Sequence, residues 1–181
     1  MKVFEAIKNR RSVRDFEDRN VEEEKIERVL EAARWAPSWA NTQCWRFVVV
    51  KNQETKSDLA EALSENNPAA DAIIEAPVVI VACAKKKVSG YKGGEPATEK
   101  GDWYMFDTGL AMQNLMLEAT NLGLGTVQIG YFNSERVEEI LDLPEDVTPV
   151  TMTPLGYPKR VPDPTSRKDL DEIVFAEKFE E

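Results

Sequence analysis

Apolar residues recur along this chain with two periods, and the changes of period mark out its elements. Val3, Phe4 and Ile7 have the spacing of one helical face and predict a short helix over "KVFEAIKNR" that ends as a run of arginines arrives. The second helix is clearer. Asn20 is placed to cap it, Glu22, Glu23 and Glu24 suit its positive first turn, and Ile26, Val29, Leu30 and Ala33 make its buried stripe. Pro37 stops it near Ala36, because the proline ring disfavours a helical residue before it. "CWRFVVV" and "APVVIVACA" are short β-branched runs without alternation, the pattern of strands covered on both faces, and "ETKSDLAEALSE" between them reads as a helix. The longest helix is predicted over "DWYMFDTGLAMQNLMLEATNLG", with Phe106, Leu110, Gln113, Met116 or Leu117 and Leu122 on a buried path and Gly123 as its stop. A strand "GTVQIG", a helix capped by Asn133, a strand-like "VTPVTMTPLG" and a Pro-rich tail follow. The order is mixed α and β without internal repeats.

Length adds that this is one domain, residues 1–181, with 161–181 as a carboxyl-terminal extension. The aperiodic, Gly- and Lys-rich stretch 85–101 is a mobile surface loop or a lid over a site. With 33 acidic against 23 basic residues the formal net charge is -10, which argues against a nucleic-acid partner. No apolar run reaches the length of a membrane span, and Glu5 and Lys8 stand where a signal peptide would be apolar, so the expected location is cytoplasmic. Cys44 and Cys83 are far apart and read as plain buried thiols, with no metal site. The chain has no histidine, which removes the commonest general base and the Ser-His and Cys-His pairs. An enzyme built this way would leave its chemistry to a cofactor.

Four segments carry candidate chemistry. In "RRSVR" an extended backbone would turn Arg10, Ser12 and Arg14 to one side and Arg11 and Val13 to the other, making one phosphate-facing side; the alternative is a solvated basic turn. "APSWANTQCW" crowds Ser38, Asn41, Thr42 and Gln43 between Trp39 and Trp45, donors and acceptors suited to the edge of a planar heterocycle or to satisfying a turn's own backbone. "NLGLGTVQIG" fails the dinucleotide fingerprint, because it follows a helix and has Gln128 where the last glycine should be. Its glycines still allow backbone N–H groups to approach a flat ligand, or simply close packing. Arg167 and Lys168 stand out in an acidic tail. The carboxylate pairs look like exposed faces, so no catalytic acid or base is named.

Taken together and in this order, "RRSVR", "APSWANTQCWRFVVV", "APVVIVACA", "D-TGLAMQNLMLEA", "GLGT", "PLGYP" and a late Arg-Lys resemble the nitroreductase family of flavin enzymes across nearly the whole chain. The resemblance implies an α+β fold, a mixed but mainly antiparallel central sheet flanked by helices, in an intertwined homodimer with FMN at the subunit interface. It implies that Arg10, Ser12 and Arg14, with Arg167 from the tail, hold the FMN phosphate and ribityl chain; Arg11 belongs to the same motif. Pro37, Ser38 and Asn41, with Gln43, would reach the flavin from the partner subunit. Gln128, Ile129 and Gly130 would lie along the isoalloxazine ring, and Asn66 or Asn67 would contact it. The implied activity is ping-pong: NADH or NADPH reduces the flavin, then a nitroaromatic, quinone or similar electron-poor acceptor reoxidises it. Relatives of this fold also dehalogenate reductively or oxidise reduced flavin, and a flavin-binding or storage protein is the rival of another class. Trp39 and Ala40 stand where many relatives have Gly or Ser, which crowds the expected flavin face.

Overall fold

The computed structural model describes residues 1–179. In chain order the elements are α1 (Val3–Asn9), α2 (Glu23–Arg34), β1 (Trp45–Val50), α3 (Gln53–Glu61), α4 (Ala70–Glu75), β2 (Val78–Lys85), β3 (Tyr91–Lys92), β4 (Glu95–Pro96), α5 (Tyr104–Asn121), β5 (Gly125–Thr126), α6 (Ser134–Ile140) and β6 (Val147–Gly156). Single 3-10 turns occur at Trp39–Asn41 and Leu170–Glu172.

The most apolar run of the chain becomes the centre of the sheet. β2 is buried almost throughout and lies between β1 and β6 in a four-stranded antiparallel sheet of order β1-β2-β6-β5. Its unbroken Val/Ile/Ala pattern follows from helices on both faces. On one face α2 and α5 close over Val78, Ile80 and Ala82; on the other, residues of α3, α4 and α6 pack on Val79, Val81 and Cys83. Each fully buried Leu, Ile or Met contributes about 1.5–3 kcal/mol, so Leu115, at 0% exposure between α2 and the sheet, is worth several of the exposed contacts of α1.

Several expectations are corrected. β1 is an edge strand and is not covered on both faces: Arg46 and Val49 are exposed. Its apolar run belongs to the antiparallel edge next to β2, where one side is left open. The cap of α2 is Glu22, without a side-chain capping bond, and not Asn20, because buried Val21 is used to anchor the approach to the helix. α5 buries Thr108, Ala111, Met112, Leu115, Met116 and Ala119; Phe106 and Gln113 are exposed. Small alanines let α5 lie close to α2 and the sheet, so that face wins over the larger aromatic one. Among the described residues parallel pairing is confined to one bridge, Ser12 with Thr126. "GTVQIG" pairs as a strand only at Gly125–Thr126, followed by a bridge from Ile129 to Met152. The face of α1 formed by Val3, Phe4 and Ile7 is exposed, only Ala6 being buried.

Other local signals hold. Gly123 ends α5 at φ +75°, with Leu124 N donating to Ala119 O and Gly123 N to Thr120 O, the paired bonds of a left-handed helix stop. Asn133 caps α6, accepting from Arg136 N at 3.0 Å. α4 had no prediction; at six residues, with Pro68 before it and Pro77 after, it is too short to show a period. Among the described residues no helix is long and apolar enough to cross a membrane, and no cluster of His, Cys, Asp and Glu is placed to hold a metal.

Candidate functional site

The stop at Gly123 turns the chain into β5, and β5 positions the amino-terminal arginines. Val13 N donates to Thr126 O at 2.9 Å, so the segment after α1 runs beside the outer edge of the sheet. Buried Val13 seats directly on Gly125, where a Cβ would come within 2.8 Å of its side chain. Only glycine permits that approach. With Val13 turned inward, Arg10, Ser12 and Arg14 are left around a cavity of about 390 Å³. The tail closes its other side, with Pro162, Asp163, Pro164, Thr165 and Arg167. Residues more than 150 positions apart in sequence thus meet at one site.

Arg11 departs from expectation, because it lines the same cavity. Its guanidinium turns back to donate to the carbonyls of Lys8 and Arg10, at the negative end of α1. A long side chain bonded to the preceding turn escapes strict alternation. Among the described residues none of Arg10, Arg11, Arg14 and Arg167 forms an ion pair, although the chain has an excess of carboxylates. Arg167 is held by Thr165, whose Oγ1 accepts at 2.7 Å. A cavity lined by four guanidinium groups and Lys8 against the single carboxylate of Asp163, with the Ser12 hydroxyl among them, fits a phosphate group.

The strand beyond β5 borders this edge. Ile129 exchanges both backbone bonds with Met152 at 2.9 Å and is buried, while Gln128 and Gly130 on either side are exposed. Among the described residues the N–H groups of Gln128 and Gly130 find no backbone acceptor. The Leu63–Phe132 bridge brings the segment of Asn66 and Asn67 alongside. Asn67 is already engaged, donating to Tyr131 O and accepting from Ala69 N, whereas exposed Asn66 makes no such bond.

Pro37, Ser38, Asn41 and Gln43 are elsewhere. They belong to the loop entering β1, at the opposite edge of the sheet, about 14 Å away if three strand spacings separate the edges. One chain therefore does not bring them to the arginine cavity. The loop is sharply bent: Ala40, Asn41 and Gln43 have φ of 46°, 56° and 48°, in the left-handed region. Ser38 Oγ accepts from Gln43 N at 2.9 Å and Gln43 Nε2 donates to Asn41 Oδ1 at 3.3 Å. Beneath it Asp107, 1% exposed, accepts from Trp39 N at 3.1 Å to each oxygen and from Ser89 Oγ at 2.6 Å. Cys44 Sγ lies 3.8 Å from the same carboxylate. Burial, reinforced by Asp107, pushes the Cys44 thiol up to about 12, and burial does the same to Cys83. Both are inert thiols at neutral pH.

Pro37, Ser38, Trp39, Trp103, Phe106 and Leu110, with Asp107, line an open, mainly apolar pocket of about 360 Å³. Trp103 and Phe106 meet edge to face at 5.5 Å. Sequence reasoning missed Asp107, Ser89 and Trp103. The available signal was a lone carboxylate inside the apolar run "YMFDTGLAM", which no exposed helix face explains.

An antiparallel sheet with helices on both faces, a guanidinium-ringed cavity at one edge and a bent polar loop at the other define an α+β protein of the nitroreductase type. The Nitroreductase family model matches residues 7–73 and 65–157, and the chain belongs to that family. It is 37% identical over 177 residues to a protein of Methanothermobacter thermautotrophicus described as a candidate NADH dehydrogenase/NAD(P)H nitroreductase, covering 96% of this chain and 86% of the relative. The solved structure of a nitroreductase family protein from Clostridium difficile 630 superposes with a TM-score of 0.86 at 32% identity, covering 99% of this chain and 100% of that one. An FMN-dependent nitroreductase from Clostridium difficile R20291 gives a TM-score of 0.79 at 26% identity, covering 96% and 98%.

Proposed function

We propose that this protein is an FMN-dependent NAD(P)H oxidoreductase, acting as a homodimer with FMN at the subunit interface and reducing nitroaromatic, quinone or similar electron-poor acceptors in two half-reactions. The observation that carries this reading is the cavity of Arg10, Ser12, Arg14 and Arg167, whose cations have no carboxylate partner among the described residues. The family relationship, and the FMN dependence stated for one of the structural relatives, point the same way.

In this reading the arginines and Ser12 bind the phosphate, Arg11 supports the motif from the end of α1, and the segment Gln128, Ile129 and Gly130 lies along the flat ring, with the unpaired N–H groups of Gln128 and Gly130 as its backbone donors and Ile129 held to Met152. Bound FMN would supply the redox chemistry, taking a hydride from NADH or NADPH and passing the electrons on to the acceptor. Pro37, Ser38, Asn41 and Gln43 would complete the site from the partner copy, which accounts for two half-sites at opposite edges of one sheet. No protein acid or base is assigned, and solvent can supply protons.

The absorption spectrum of the purified protein followed by anaerobic stopped-flow mixing tests this. Bound flavin bleached by NADH or NADPH and recoloured by a nitroaromatic or quinone is the expected result. Bound flavin that neither nucleotide bleaches would make this a flavin-binding protein, and protein that cannot take up FMN would overturn the proposal.

A further inference from the structure

Two loops that sequence reading treats as separate meet at one buried carboxylate. Asp107 lies in the first turn of α5, receives no cation, and is 1% exposed. An ionised carboxylate in such a place depends on hydrogen bonds for its stabilisation. It receives one from each of two loops. Trp39 N donates from the bent loop 37–43, and Ser89 Oγ donates from the loop that follows β2. Ser89 is itself fully buried, and its carbonyl accepts from Trp103 N at 3.0 Å, so the second loop is fixed at both its Ser89 and its Trp103 ends. Trp39 and Trp103 are also walls of the 360 Å³ pocket. Lys92 and Lys100, from the same second loop, lie over their rings, 6.0 Å from Trp39 and 5.5 Å from Trp103.

We infer that Asp107 is a positioning residue that joins the 37–43 loop to the 86–103 loop, holding Ala40, Asn41 and Gln43 in their left-handed conformations and fixing the spacing between Trp39 and Trp103, the walls of an acceptor pocket. Two properties support this over a purely structural buried Asp. Its bonds go to loops rather than to its own helix, and one of those loops contains three non-glycine residues with positive φ, a geometry that needs an outside tether. The inference rests on the oxidoreductase reading for its effect on turnover, but not for its effect on the loops.

The test compares full-length Asp107→Asn and Ser89→Ala with wild type by amide hydrogen exchange, and by steady-state kinetics with NADH and 4-nitrobenzoate. Asp107→Asn should speed exchange about tenfold or more at both 39–44 and 87–92, weaken FMN binding and raise the acceptor KM. Ser89→Ala should speed exchange only at 87–92 and raise the acceptor KM about fivefold, with flavin affinity and the NADH half-reaction unchanged. Exchange that rises uniformly over the domain in Asp107→Asn, or a Ser89→Ala protein indistinguishable from wild type in both exchange and KM, would overturn it. If Asp107→Asn does not fold, the Ser89→Ala result alone decides. A wild-type protein that takes up no flavin would defeat the function proposed above, yet the exchange patterns would still decide the role of Asp107.

Discussion

The two edges of the sheet solve opposite problems. At the β5 edge four guanidinium groups gather around one carboxylate, Asp163, and none of them forms an ion pair among the described residues, so positive charge is left in excess. At the β1 edge the polar groups of the 37–43 loop, Thr42 Oγ1 excepted, are largely consumed by one another and by Asp107, so hydrogen bonding is nearly satisfied and the backbone carries the strain. One edge is prepared by electrostatics and the other by conformation, and they should respond to different perturbations.

The largest effect is expected at the charged edge. Arg10→Ala or Arg14→Ala should weaken FMN binding by about 1.5–3 kcal/mol, roughly ten- to a hundredfold in dissociation constant, measured by fluorescence titration. Arg11→Ala, whose guanidinium is spent on helix carbonyls, should weaken it much less and instead lower the melting temperature. Equal losses at all three positions would erase the distinction drawn here between ligand-facing and helix-facing arginines.

Next comes the packing that aims them. Gly125→Ala places a methyl against Val13 and should cost about 1–3 kcal/mol in stability with a parallel loss of FMN affinity. Adding Val13→Ala removes the two Cγ contacts but keeps the Cβ contact at 2.8 Å, so it should restore only part of both, measured by denaturant titration and flavin binding. A smaller effect of opposite sign is expected at the other edge: Ala40→Gly relieves a left-handed alanine at φ 46°, and should raise stability by up to about 1 kcal/mol, a few degrees in melting temperature. Smallest of all, Cys44 and Cys83 should resist iodoacetamide at pH 8 in the folded protein and react once it is unfolded. Because their folded values lie above the ordinary thiol value of 9.0, the folded state holds its protons longer, and stability should fall as pH rises from 9 towards 12.

What the sequence disclosed follows the same division. Elements dominated by local pattern were legible: the Asn133 cap, the Gly123 stop, the apolar β2 run and the helix stop before Pro37. Long-range choices were not. Nothing local says that α5 buries its alanines rather than Phe106, since that depends on how closely α2 approaches. The alternation rule placed Arg10, Ser12 and Arg14 correctly on one cavity but failed for Arg11, whose long side chain follows the carbonyls of α1 instead of the pleat. The role of Arg167 came from resemblance, and its meeting with Arg10 depends on the path of the tail. Asp107 was passed over because a helix-first reading of its segment left no reason to ask what a carboxylate was doing among apolar neighbours.

Arg167 sits on a segment whose residues from 163 to 179 are all exposed, Leu170, Val174 and Phe179 included. If the phosphate of FMN is what draws Arg167 inward, occupancy of the cavity and the placement of the tail are two ends of one equilibrium. Linkage then works in both directions: whatever fixes the tail, a second subunit above all, tightens the cofactor, and the cofactor in turn strengthens the hold on the tail by the same factor. Protease sensitivity of residues 161–179 would then serve as a gauge of cofactor saturation.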